Sequence, residues 1–161
     1  MRLKEITEEE ILLNELNQQN DWIDLCTHYK LSEEIIEKYS NKVDWMYICT
    51  FQNLSEEFMI KHKDKLYWDW VSIYQKLSET FMERFMNYLD LEWISQHQIL
   101  SESFITKHKD ILDWNNICIY QKLSEPFIEK FQDKVDWKNI FIHQNLSNEF
   151  INKYKYKFDF L

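Results

Sequence analysis

Five histidines and three cysteines among 161 residues are the side chains on which metal or nucleophilic chemistry could rest. A zinc site needs its ligands about 2 Å from one ion, and a thiolate nucleophile needs a base within hydrogen-bond reach. The spacing supplies neither. Cys26 and His28 stand two positions apart, which on a helix turns the side chains away from each other. Three cysteines, an odd number without a Cys-x-x-Cys pair, argue against a disulfide scaffold and against a zinc knuckle. The chain has no glycine and one proline. Phosphate-cradling loops and dinucleotide folds lean on glycine to reach positive φ, so a dinucleotide or P-loop enzyme is not expected of this composition. No catalytic residue, metal ligand or cofactor is expected, and the chain reads as a non-enzyme.

The elements that position these residues follow from a period. Leu-Ser occurs at Leu31, Leu54, Leu77, Leu100, Leu123 and Leu146, each 23 residues after the last. The unit reads most fully from Leu123 to Phe141, and Asp21, Trp22 and Leu25 stand in register with Asp44, Trp45 and Ile48. In that register His62 and His108 share a position with Tyr39, Phe85, Phe131 and Tyr154, which makes them aromatic-like core members. His28, His97 and His143 share a position with Phe51, Tyr74 and Tyr120. Cys26, Cys49 and Cys118 share one with Ser72 and Ser95, which marks it as a small core position. Repeats stacked about 10 Å apart keep such residues too far from one another for a shared metal or a disulfide.

Each unit holds two helix starts. The Ser of Leu-Ser is a good N-cap followed by Glu in the first turn, as in Ser32-Glu33-Glu34, and Pro126 sits in the first turn after Ser124, where a missing N–H costs little. The Asp before Trp, at Asp21, Asp44, Asp113 and Asp136, is the second cap. The pattern predicts two helices of about eight to ten residues per unit. Phe127, Ile128, Phe131 and Val135 form the buried side of the first, and Trp137, Ile140 and Phe141 with Gln144 that of the second. Helices this short bury both faces only by stacking. The fold class is therefore all-α, an α-solenoid of short helix-turn-helix repeats, about six to seven units. Residues 1–30 read as a divergent N-terminal cap unit, 31–145 as five full repeats and 146–161 as a C-terminal half-repeat cap, together one repeat domain. Thr7-Glu8-Glu9-Glu10 and Lys153, Lys155 and Lys157 mark the two caps.

The motifs quoted, Leu-Ser-Glu-x-Phe-Ile-x-Lys, Asp-Trp-x-x-Ile and Tyr-Gln, resemble a 23-residue helical repeat of uncharacterised phage and large-DNA-virus proteins. The resemblance implies a viral origin and a part in handling host machinery, and it brings no catalytic residues with it. The chain departs from the motif at Leu91, where Trp is expected, and at Tyr67, where Asp is expected, so the middle units are expected to pack differently.

With 28 acidic against 19 basic residues the formal charge is −9, which opposes direct binding of nucleic acid. No apolar run approaches the roughly 18 residues of a membrane span. Met1 to Glu10 is acidic rather than charged-then-apolar, so the expected location is cytoplasmic, in the host cell if the protein is viral.

The basic positions Lys38, Lys61, Arg84, Lys107, Lys130 and Lys153 read as one half of a solvated face. Glu34 to Lys38, Glu57 to Lys61 and Glu149 to Lys153 are spaced as pairs along one helix. The Gln at positions 52, 75, 98, 121 and 144 is expected to satisfy backbone groups at the turn into the next unit. The outward side of the second helix departs from expectation, because it carries Tyr47, Trp70, Ile73, Trp93 and Gln96 where simple polar residues would do. An apolar strip with aromatics at its centre reads either as packing between neighbouring repeats or, if exposed, as a recognition surface.

The expected partner is a protein, with a host defence factor as the candidate, and Glu33, Glu56 and Glu79 are the acids that would steer it. Two other readings stand beside this one. One is an acidic nucleic-acid mimic that blocks a DNA- or RNA-binding groove, and the other is a scavenger of a small signalling molecule.

Overall fold

A computed structural model describes residues 22–157. Those residues form twelve α-helices and no strand: α1 (Trp22–His28), α2 (Glu33–Lys38), α3 (Trp45–Phe51), α4 (Glu56–Lys61), α5 (Trp68–Tyr74), α6 (Glu79–Phe85), α7 (Leu91–His97), α8 (Glu102–Lys107), α9 (Trp114–Tyr120), α10 (Glu125–Lys130), α11 (Trp137–His143) and α12 (Asn148–Lys153). A short 3-10 turn follows at Lys155–Lys157. The fold is an all-helical solenoid of helix-turn-helix repeats. None of the described helices is long and apolar enough to cross a membrane.

The contacts group the chain into two compact units, Met1–Gln75 and Lys76–Leu161. In the first, the second helices α1, α3 and α5 pack in sequence; in the second, α9 packs between α7 and α11.

The caps explain where the helices begin. Ser32, Ser55, Ser78, Ser101, Ser124 and Ser147 each accept a hydrogen bond from the backbone N–H three residues on, opening the first helix of every repeat. Asp44, Asp90, Asp113 and Asp136 do the same for second helices. Asp21 and Thr7-Glu8-Glu9-Glu10 lie outside the described residues. Pro126 falls within the first turn of α10, where its lack of an N–H is harmless.

At Tyr67 the side-chain cap is missing, yet α5 starts at its expected place. At Leu91 a different bond is lost. Trp45, Trp68, Trp114 and Trp137 donate their indole N–H to the carbonyls of Ser40, Lys63, Lys109 and Gln132, closing the turn between the two helices, and Leu91 has no such donor. Both second helices start in register, but in the repeat that carries Leu91 the first helix, α6, runs one residue longer than the other first helices, to Phe85.

The helices are six or seven residues long, shorter than the pattern predicts. Except for α6, which includes Phe85, first helices end where the aromatic or His position leaves helical geometry, as at His62 with φ −108° and ψ 19°. Second helices end because the Gln backbone is extended, as at Gln75 with φ −89° and ψ 148°.

That extension serves the Gln side chain, which reaches back to the preceding repeat. Gln52 Nε2 donates to the Cys26 and Tyr29 carbonyls, both at 2.7 Å, while its Oε1 accepts the Leu31 N–H at 2.8 Å. Gln75, Gln121 and Gln144 repeat this three-bond clasp, and Gln98 accepts the Leu77 N–H. The amide therefore holds the turn that leads into its own repeat, not the turn into the next one as the sequence reading has it. It satisfies carbonyls that a helix end leaves unpaired.

Rings fill the core between repeats. Trp45 lies on Phe58 and His62, Trp114 on Phe127 and Phe131, and Trp137 on Phe150 and Tyr154, with centroids 4.9 to 6.4 Å apart. Phe127, Ile128, Phe131, Val135, Trp137 and Ile140 are buried as the wheel requires, but Phe141 is 40 % exposed. Its register mates Cys26, Cys49, Ser95 and Cys118 are fully buried on helices that pack against a following second helix, whereas no second helix follows α11 among the described residues.

Candidate interaction surface

The outward edge of the second helices carries rings in pairs one helical turn apart. In the first unit Tyr47 stacks on Phe51, with centroids 6.1 Å apart, along α3, and Trp70 stacks on Tyr74 at 5.8 Å along α5. Tyr47, Trp70 and Ile73 are half-buried, whereas Phe51 and Tyr74 are 50 % and 49 % exposed. Because α3 and α5 pack on each other, the two ring pairs occupy one register on neighbouring helices. Asp69, exposed in the first turn of α5, is the acid beside Trp70. In the second unit Trp93 contacts His97 at 5.6 Å along α7, and Gln96 is half-buried next to it. The later second helices carry Asn116 with Tyr120 and Asn139 with His143 at these positions.

Phe51 and Tyr74 are the residues that sequence reasoning missed. It placed them in the register of the histidines and passed over their i, i+4 spacing from Tyr47 and Trp70. That spacing was the available signal, since side chains four apart share a helix face.

The acidic candidates lie on other helices. Glu33, Glu56 and Glu79 stand half-buried in the first turns of α2, α4 and α6. Glu33 accepts the backbone N–H of Ser55, and Glu79 that of Ser101 at 2.6 Å; Glu102 and Glu125 receive Ser124 and Ser147 in the same way. These carboxylates tie one repeat to the start of the next.

The lysines follow the same logic. Lys61 binds Glu37, Lys107 binds Glu83 at 2.6 Å and Lys153 binds Glu129 at 2.7 Å, each reaching back 24 residues. The expected partners of Lys61 and Lys153 along their own helices, Glu57 and Glu149, are not the ones they bind, because an acid lies closer across the groove. Lys38 instead lies 5.3 Å over the Tyr39 ring rather than on Glu34. The hydrogen bonds from lysine hold Glu37, Glu83 and Glu129 below the usual carboxylate range.

His62 and His108 sit among rings, His62 on Phe58 at 4.4 Å and His108 on Phe104 at 4.5 Å. Burial holds His62 below the ordinary histidine value. Burial also pushes the thiols of Cys26, Cys49 and Cys118 up to about 11, which leaves them protonated and poor nucleophiles at neutral pH. No group of three or more potential metal ligands occurs among the described residues.

Comparison with protein-family models, with curated proteins and with solved structures finds no match for this chain.

Proposed function

We propose that the chain is a non-enzymatic repeat protein that binds another protein along the ringed edge of its second helices, with the face of α3 and α5 as its anchor. The observation that carries this reading is the pair of exposed rings, Phe51 and Tyr74, each backed by a half-buried ring at Tyr47 and Trp70. Large rigid rings held in place by stacking lose little entropy on contact, and such residues dominate interface hot spots. Asp69 beside them and the overall charge of −9 favour a partner with a basic face. The resemblance to viral repeats supports a viral origin and a host defence factor as that partner, which the solenoid would occlude. Binding of this kind suits a cytoplasmic protein.

The test is capture of partners on the immobilised chain, followed by binding kinetics with the captured protein. Replacing Phe51 and Tyr74 by Ser should weaken binding by roughly 30-fold or more, mostly through a faster off-rate, while the helical circular-dichroism signal stays that of the parent. A folded variant that binds as tightly as the parent removes the ring edge from consideration. Raising the salt separates this reading from acidic mimicry, since binding carried by charge alone collapses with ionic strength and a ring-anchored contact persists.

A further inference from the structure

The grooves between consecutive first helices differ by one strut. Lys61 reaches Glu37 between α2 and α4, Lys107 reaches Glu83 between α6 and α8, and Lys153 reaches Glu129 between α10 and α12. These acids recur in every second repeat. In the repeats between, Ile60, Thr106 and Asn152 take the place of Glu. The groove between α8 and α10 therefore has no strut, because the residue 24 positions before Lys130 is Thr106. Lys130 Nζ lies 5.0 Å over the Phe131 ring with no carboxylate within ion-pair distance among the described residues. Each helix start here keeps one acid, Glu102 or Glu125, but lacks the second, because Ser103 and Pro126 replace the Glu found at positions 34, 57 and 149. A groove of about 540 Å³ opens here, bordered by Lys107 and Lys130, with Ser103 and Thr106 on one wall and Pro126 and Phe127 on the other. Glu102 also lines it, and its carboxylate already accepts the Ser124 N–H at 2.6 Å.

We propose that this groove binds an acidic segment of a partner polypeptide, one carboxylate of which takes the place of the missing glutamate between Lys130 and Thr106. The argument is charge complementarity. Three neighbouring lysines show that this scaffold presents its ammonium group to a carboxylate across the groove, and Lys130 has the same position without the acid. A charge-assisted bond to Lys130, with the Thr106 hydroxyl as a second donor, suits a carboxylate. Phe127 and Pro126 supply an apolar wall for a side chain next to it. A site on α8 and α10 is separate from the ring edge, which lies on the second helices.

The probe is an acetylated, amidated tetrapeptide of sequence Glu-Glu-Phe-Glu titrated into the full chain, read by amide chemical-shift changes and by calorimetry. Shifts should centre on Ser103, Thr106 and Lys130. Thr106→Glu, which installs the strut, should weaken binding about tenfold or more, and Lys130→Gln should do so to a similar degree. Lys61→Gln should leave it unchanged. Lys130 is exposed, so Lys130→Gln reads the site even if Thr106→Glu perturbs the fold. Equal binding to the parent and Lys130→Gln would overturn the proposal, as would shifts centred elsewhere or no saturation at millimolar peptide. Inorganic phosphate matching the peptide in affinity would also overturn it, by showing a simple anion site in place of a peptide groove.

Discussion

The two edges of a second helix carry opposite kinds of residue. The inner edge ends on Gln in each of the five full repeats, buried at Gln52, Gln75, Gln98 and Gln121, and an amide such as that of Gln52 joins two repeats through three bonds. The outer edge holds Tyr47, Trp70, Trp93, Asn116 and Asn139 in one register. A position that the stack uses must recur, because each repeat meets the same neighbour. A position that changes from ring to amide across five repeats is one the stack does not depend on. Tyr67 and Leu91 each forgo bonds made within one repeat, whereas loss of a Gln clasp removes buried bonds between two repeats and should cost more.

Gln121→Ala should have the largest effect. It leaves the Ser95 and Gln98 carbonyls and the Leu100 N–H without partners in a buried place, at about 1 to 3 kcal/mol for each group that water cannot reach. A total of about 3 kcal/mol or more in denaturant unfolding is expected. Asn116→Ala, on the outer edge of α9, should change stability by less than about 1 kcal/mol, since its amide makes one long bond, at 3.3 Å, to the Glu92 carbonyl in an exposed setting. Equal costs would erase the distinction between the two edges.

The core position shared by His62 with aromatic residues gives a second, smaller effect with a known sign. Burial against Phe58 and Trp45 holds the imidazole below its ordinary value of 6.5, Glu37 and Glu33 pull it upward, and Lys61 and Lys65 push it down. The unfolded chain therefore takes up the proton first. Stability is full above pH 6.5 and falls as the pH drops below that value, until the folded state also protonates. His62→Phe should keep more of its melting temperature between pH 7.5 and 5.5 than the parent does. An identical pH dependence in the two would place the proton uptake elsewhere.

Much of this was legible in the sequence because it is local. Ser and Asp caps act within three residues, so the spacing of Leu-Ser and Asp-Trp located both helix starts, and even Asp90 before Leu91 keeps its role. The period also located the Gln clasp, but a single repeat does not say which neighbour the amide faces. The lysine pairs were misread for the same reason. Glu57 and Glu149 stand four residues before Lys61 and Lys153, yet Glu37 and Glu129 are closer in space, one residue more than a period away. The alternation of Glu at positions 37, 83 and 129 with Ile60 and Thr106 was visible in the sequence, and it doubles the true period of the first helices. The ring edge was legible only in part. Helical spacing gave Tyr47 and Trp70, whereas the greater exposure of Phe51 and Tyr74, the last residues of α3 and α5, is a matter of tertiary packing.

The smallest effect concerns the exposed carboxylates, and it tests whether recurrence alone marks a residue as essential. Glu37, Glu83 and Glu129 recur as regularly as alternate repeats allow, and each is held below the usual carboxylate range by its lysine. Their stabilising contribution is present above about pH 4.5 and is lost as the pH falls through their lowered folded values. All three lie at the surface, where water and salt screen the pair, so Glu83→Gln should lower the melting temperature only slightly at neutral pH and low salt. The difference from the parent should vanish at about 0.5 M salt, where screening acts over only a few ångströms, and it should also vanish below the folded value, where the parent carboxyl is protonated. A loss from Glu83→Gln that matched Gln121→Ala and persisted in salt would mean that the first helices hold the repeats together, and that the Gln clasp is secondary to them.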